Sequence, residues 1–250
     1  MSHAGVDVSR AVSRFALQAR IASKHFPPVG SAPPKHVIQD FKLDVRENGF
    51  VALFGPSGCG KTTILNVIAG IDQDFTGEIS RQELGRIAYV FQEPRLLPWL
   101  TVEDNLKLVL DDQTDADSLI DIWLDEMGLL DVRKVFANRL SLGMARRVAL
   151  ARAFIIRPKL LLMDEPFVSL DEPTAQRLHY LLLSTLRVHP ASVIFVTHSL
   201  REAITLADQI VFLSASPTHV ERIADVSLDD EQRRDDQAIE TVRQRLLSTA

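Results

Sequence analysis

The chain has 250 residues, 46% hydrophobic and 24% charged, with a formal net charge of −5 and one cysteine. That balance belongs to an ordinary globular protein and supplies no basic footprint for nucleic acid. The lone Cys59 excludes an intrachain disulfide and a thiolate zinc cluster, and apolar runs such as "LLLM" (160–163) and "VIFV" (193–196) are far too short to span a bilayer. The N-terminus lacks the basic-then-apolar order of a signal peptide, so the chain is expected to be intracellular and soluble, with any membrane role passing through a partner.

Residues 1–13 are small and polar and are expected to form a flexible tail. "RFALQARIASKHF" (14–26) alternates as a strand does, "PPVGSAPP" (27–34) is a turn-rich loop, and "VIQDFKLDV" (37–45) alternates again. Together they predict an antiparallel β ribbon. "FVALFGPSGCGKTTILNVIAG" (50–70) runs from a buried strand through a Gly-rich loop into a helix, and "RIAYVFQ" (86–92) is a further strand. From 93 to 157 the pattern is mostly helical, with exposed acidic stretches such as "DDQTDADS" (111–118). "KLLLMDEP" (159–166) and "ASVIFVTH" (191–198) are aliphatic runs of the buried parallel kind, separated by the helical "AQRLHYLLLSTLRV" (175–188). "DQIVFLS" (208–214) adds a strand, and the residues after 215 read as a solvated surface helix. No internal repeat is visible. This order predicts an α/β fold: a parallel-sheet core with a β subdomain (14–92 and 158–215), an inserted helical subdomain (93–157) and a polar extension (216–250).

"GPSGCGKT" (55–62) fits G-x-x-x-x-G-K-[ST] in full. Its glycines let successive backbone N–H groups wrap phosphates; Lys61 brings a point charge to the β- and γ-phosphates, and the Thr62 hydroxyl is placed to ligate Mg²⁺. The helix opening at "TTILNVIAG" offers its N-terminal dipole to the same charge. Gly55, Pro56, Ser57, Gly58, Cys59, Gly60, Lys61, Thr62 and Thr63 are therefore the candidate nucleotide-binding residues. The acidic strand end adds Asp164, which can hold Mg²⁺ through its water shell, and Glu165, placed to polarise an attacking water. A solvated acidic turn is the plainer reading of those two carboxylates. His198 ends another strand at the edge where such sheets bind ligands, and Gln92 ends a third, where its amide could bridge Mg²⁺ and water.

Together these motifs resemble the ATP-hydrolysing subunit of ABC transporters over about residues 14–215. They run in the family's order: "GPSGCGKTT", "FQEPRLLPW", "LSLGM", "LLLMDEP", "SLDE" (169–172) and "VTHS". "RLLPWLTVEDNL" and "GMARRVALARA" look most like the importers of the nitrate, sulfonate and taurine group. The resemblance implies a P-loop NTPase (RecA-like) core, ATP and Mg²⁺ as ligands, Glu165 as general base and His198 as the switch histidine. It implies Phe26 as the aromatic that stacks on adenine, Asp171 as the residue communicating across a dimer, and ATP held between the phosphate loop of one copy and Ser141, Gly143 and Met144 of the other. The implied partners are a second copy, a transmembrane permease pair and, indirectly, an extracytoplasmic solute-binding protein. The chain would then lie at the cytoplasmic face of the cell membrane. "EPRLLPWL" (93–100), with Leu96, Leu97 and Trp99, is the candidate docking surface, or alternatively part of the insert's own core. A lipid or efflux ATPase, a translation or repair ATPase and a non-hydrolysing scaffold remain as rival readings.

The signature departs from the family's Leu-Ser-Gly-Gly-Gln, with Leu142 at the first glycine's place. The expectation is a helical backbone at 142, with Ser141 and Gly143 still able to meet a phosphate. Met144, Val148, Ala151 and Ile155 then mark the buried face of the following helix, and Arg146, Arg147 and Arg152 a polar one.

Overall fold

The computed structural model describes residues 15–28, 30, 33–80, 85–111 and 115–248; the expected N-terminal tail lies outside them. β1 (Phe15–Phe26) pairs antiparallel with β2 (Lys35–Arg46), as the alternation predicts, and on its other side with β4 (Thr76–Ser80). The third strand is unexpected because "TGEIS" is short and mostly exposed; its partner β1, rather than its own pattern, makes it a strand.

The second sheet has the order β5 (Ile87–Val90), β6 (Leu160–Asp164), β7 (Ser192–Thr197), β3 (Phe50–Phe54), β8 (Gln209–Leu213), β9 (Val220–Asp225), parallel except for β9. β6 and β7 are buried along their whole length. Leu160 and Leu162 face one core with Phe41, Ile64 and Ile68, while Leu161 and Met163 face another with Trp123, Phe154 and Phe195. The period-2 alternation of side chains thus divides one apolar run between two layers. Fully burying each such side chain contributes on the order of 2 kcal/mol.

α1 (Lys61–Ala69) and the ribbon cover the first face. The second carries α2 (Val102–Lys107), α3 (Ala116–Glu126) and α4 (Leu142–Phe154) of the helical insert, then α5 (Glu172–Val188), α6 (Leu200–Leu206) and α7 (Asp236–Ser248). None of the described helices is long and apolar enough to cross a membrane.

Packing does not end at residue 215. β9 pairs antiparallel with β8 as the sixth strand, and Ile239, Val242 and Leu246 of α7 are buried in the second core. The polar residues of 216–248 mark the outer faces of an edge strand and an amphipathic helix, which composition alone reads as a solvated extension.

Candidate functional site

Strand register gathers the site. Phe54 of β3 lies opposite Thr197 of β7, and Asp164 of β6 lies opposite Val196, so Gly55, Glu165 and His198 leave the sheet at one edge. That is the carboxyl edge of the parallel strands, where α/β sheets bind ligands.

The loop between β3 and α1 is shaped by two glycines with positive φ, 76° at Gly58 and 123° at Gly60. At Gly60 space is restricted as well: a Cβ would come 2.8 Å from Val37 Cγ1 and 3.1 Å from Thr218 Oγ1. Only glycine meets both conditions. Lys61, 5% exposed, folds back into the loop, its Nζ donating to the carbonyls of Gly55 (2.9 Å) and Pro56 (3.0 Å). A cavity of about 380 Å³ opens here, lined by Ser57, Gly58, Gly60, Lys61, Thr62 and Thr63, with Gln92, Glu165 and Phe26 also on its wall. Gly55, Pro56 and Cys59 do not line it. The Cys59 thiol is buried in the core and its carbonyl accepts from the Thr218 hydroxyl, so this residue backs the loop from behind. Lys35 and Val37 of β2 complete the wall.

Asp164, 5% exposed, is hydrogen-bonded with the Thr62 hydroxyl. Burial raises its carboxyl pKa; Thr62 opposes that shift and the neighbouring Glu165 charge adds to it. The pair offers two hard oxygen donors beside the phosphate loop, the donor chemistry that suits Mg²⁺ completing its shell with phosphate oxygens and water. Glu165 has φ 43°, a left-handed backbone that is costly for a side-chain-bearing residue, and its N–H donates to the Val196 carbonyl at 3.0 Å. Its carboxylate lies between two groups: Oε2 is 3.0 Å from His198 Nδ1, and Oε1 is 3.7 Å from Lys61 Nζ.

Gln92 and Thr62 also border a second cavity of about 670 Å³, shared with Asp164, Leu142 and Arg146. Phe26 ends β1 and is 38% exposed, with Lys24 Nζ 4.9 Å from its ring centroid.

At the signature, Ser141 caps α4 by accepting from the Met144 N–H at 3.2 Å, and Leu142 is the first helical residue, without positive φ. A Cβ at Gly143 would lie 3.1 Å from Thr174 Cγ2, so the first turn of α4 lies against that of α5. Asp171 caps α5 by accepting from the Thr174 N–H at 3.0 Å, and its bonds with Thr174 hold its exposed carboxyl below the usual range. Ser141, Gly143, Met144 and Asp171 line a third cavity, of about 750 Å³, apart from Lys61.

The arginines of the polar face of α4 are taken up by backbone carbonyls. Arg147 donates to the Met127 and Gly128 carbonyls, Arg152 to those of Pro94 and Arg95, and Arg146 is buried beneath Val168. Helical spacing distinguishes the faces of a helix but not what covers them. The apolar cluster of "RLLPWL" is divided likewise. Leu96 packs on the core, the buried Asn105 side chain binds the Leu97 N–H and carbonyl, and Trp99 is 68% exposed.

The profile of the ABC transporter family matches residues 38–168. An aliphatic sulfonates import ATP-binding protein of Burkholderia cenocepacia is 36% identical over 240 residues, covering 88% of this chain and 89% of that one. The chain belongs to the ABC transporter family. A second aliphatic sulfonates import ATP-binding protein, from Pseudomonas syringae pv. tomato, is 39% identical over 200 residues, 80% of this chain and 85% of its own. Among solved structures, the dimeric bacterial ABC transporter cassette MJ0796 superposes with a TM-score of 0.73 at 25% identity, over 85% of this chain and 100% of that one. The same cassette is known as a dimer in a post-hydrolysis state bound to ADP and Pi. As a member of the family this ABC cassette is an ATPase on the P-loop NTPase fold, as the ordered motifs imply.

Proposed function

We propose that the chain is the ATP-hydrolysing subunit of an importer for aliphatic sulfonates or related small anions, working as a head-to-tail dimer docked on a membrane permease pair. An extracytoplasmic solute-binding protein would deliver the solute, and this subunit would sit at the cytoplasmic face of the membrane. The names of the related sequences support the uptake direction and the solute class over a lipid or efflux system.

The observation that carries the hydrolytic reading is the position of Glu165, with one carboxylate oxygen 3.0 Å from His198 and the other 3.7 Å from Lys61. In this reading Lys61 and the N–H groups around Gly58 and Gly60 bind the β- and γ-phosphates, and Phe26 stacks on the adenine. Thr62, Asp164 and Gln92 would hold Mg²⁺, which would supply positive charge against the phosphate oxygens. Glu165 takes the proton from the attacking water as the bond between the γ-phosphorus and the ADP oxygen breaks, and His198 orients that carboxylate. Ser141, Gly143 and Met144 meet the γ-phosphate of the opposite copy, and Asp171 links the two sites. Closure then depends on ATP, and loss of the γ-phosphate contacts lets the dimer open.

The test is single-turnover hydrolysis by the purified protein beside Lys61→Ala, followed by sulfonate uptake in vesicles carrying the permease pair and binding protein. Phosphate release no faster than in Lys61→Ala removes the enzyme reading, and hydrolysis without sulfonate uptake removes the solute.

A further inference from the structure

Arg146 lies on the second turn of α4 and is 4% exposed. Its Nη2 donates to the Val168 carbonyl at 3.0 Å, whereas Nε and Nη1 have no hydrogen-bond partner among the described residues. Burial alone accounts for the lowering of its pKa, with no carboxylate contributing. A guanidinium remains charged in a protein and carries five donors, so burying one against a single neutral acceptor is unfavourable unless an anion joins it.

The place for that anion adjoins the guanidinium. Arg146 lines the cavity of about 670 Å³, whose wall includes Thr62 and Gln92, and both residues also line the phosphate-loop cavity. The two chambers share these side chains. Arg95 brings a second cation to the same wall, its Cζ 3.9 Å from the centroid of the Phe91 ring. Of the carboxyls there, Glu93 is exposed and Asp164 is hydrogen-bonded with Thr62.

We propose that this chamber is a tetrahedral-oxyanion site in which Arg146 receives the inorganic phosphate released by hydrolysis before it leaves the protein. The fork of a guanidinium matches two phosphate oxygens; Nε and Nη1 have no partner among the described residues and are buried, and a small turn of the side chain toward the chamber would present them to that pair. The proposal rests on the hydrolysis reading for the source of the phosphate, while binding of added phosphate does not depend on it.

Equilibrium dialysis of ³²P-labelled inorganic phosphate against the full-length protein tests the site directly. With ADP present to fill the phosphate loop, Arg146→Met is expected to weaken phosphate binding by about tenfold or more and Arg146→Lys by less. Equal binding by wild type and Arg146→Met overturns the proposal. Melting guards against misfolding: Arg146→Met, freed of an unpaired buried charge, should melt no lower than wild type in phosphate-free buffer and should lose the stabilisation by phosphate. A melting rise with phosphate equal in the two proteins likewise overturns it. Sulfate offers the same chemistry from solution, so a single turnover of γ-labelled ATP separates the sources. Altered release of label in Arg146→Met identifies the product as occupant, and unaltered release restricts the site to solution oxyanions and removes the exit role. Should the hydrolysis reading fail, no label is released at all, while the dialysis result stands on its own.

Discussion

Glu165 and His198 come from different strands, yet their side chains meet at 3.0 Å because β6 and β7 run parallel and in register to the last residue. The carboxylate is thereby aimed without help from its own strand, whose backbone turns left-handed at Glu165. Glu165→Gln should retain ATP binding, lose turnover by about 10²–10⁴-fold and accumulate as a closed dimer, since the amide cannot take a proton while the phosphate contacts persist. Size-exclusion chromatography with ATP and Mg²⁺ reads the dimer. A variant that stays monomeric under those conditions removes the sandwich mechanism. His198→Ala should leave ATP affinity within a few-fold and slow the first turnover by about tenfold or more, as the carboxylate loses its orienting partner.

Leu142 replaces a residue without a side chain, but at a position where the backbone needs no glycine. It opens α4 with helical geometry and is 41% exposed. Leu142→Gly should therefore change the ATPase rate by less than about tenfold and lower stability by up to about 1 kcal/mol, the cost of glycine at a helical position. A rate increase well beyond tenfold means that the leucine obstructs closure.

What the sequence makes legible here is chemistry carried by contiguous residues. The phosphate loop, the Asp164–Glu165 strand end and His198 each sit in a run whose strand or helix is strongly patterned, and the fold brings them to one edge. Thr218 is 159 residues from Cys59, acts through a backbone carbonyl and stands in a stretch whose composition reads as an extension. No local pattern marks such a contact. β4 and β9 are edge strands whose partners, β1 and β8, carry the patterning. Arg146 has the spacing of a polar helical face, yet it is buried and donates to the Val168 carbonyl in the segment after Glu165.

The contact between Thr218 and Cys59 has a measurable consequence. Thr218 is fully buried, its hydroxyl donates to the Cys59 carbonyl, and its N–H donates to the Val37 carbonyl at 2.7 Å. The strand that lines the nucleotide cavity and the loop that wraps the phosphates are thus joined through one residue. Thr218→Val keeps the shape and the N–H bond but removes the hydroxyl, leaving a buried carbonyl with one acceptor site unfilled. Stability should fall by about 1–3 kcal/mol and ATP affinity by several-fold, whereas exposed Ser57→Ala should leave stability within about 0.5 kcal/mol. Nucleotide titration and thermal melts of the two variants provide the comparison, and equal effects remove the bracing role.

His179 of α5 sets an acid limit on stability. It is 6% exposed, lies edge-on to Phe167 with ring centroids 4.4 Å apart, and its Nε2 has no hydrogen-bond partner among the described residues. Burial, with a smaller contribution from the Arg201 charge, lowers its pKa to about 4. An unfolded chain takes up the same proton near pH 6.5, so between roughly 6.5 and 4 the unfolded state binds more protons and stability declines as the pH falls. The loss should approach about 3 kcal/mol near pH 4 and grow no further below it, while above pH 7 this residue contributes no pH dependence. His179→Leu removes the titration and should flatten that part of the profile. Denaturant midpoints for both proteins from pH 8 to 4 give the comparison: curves that stay parallel mean that His179 is protonated without cost in the folded state, and a wild-type curve that falls relative to the variant's toward acid pH bears out the buried neutral imidazole.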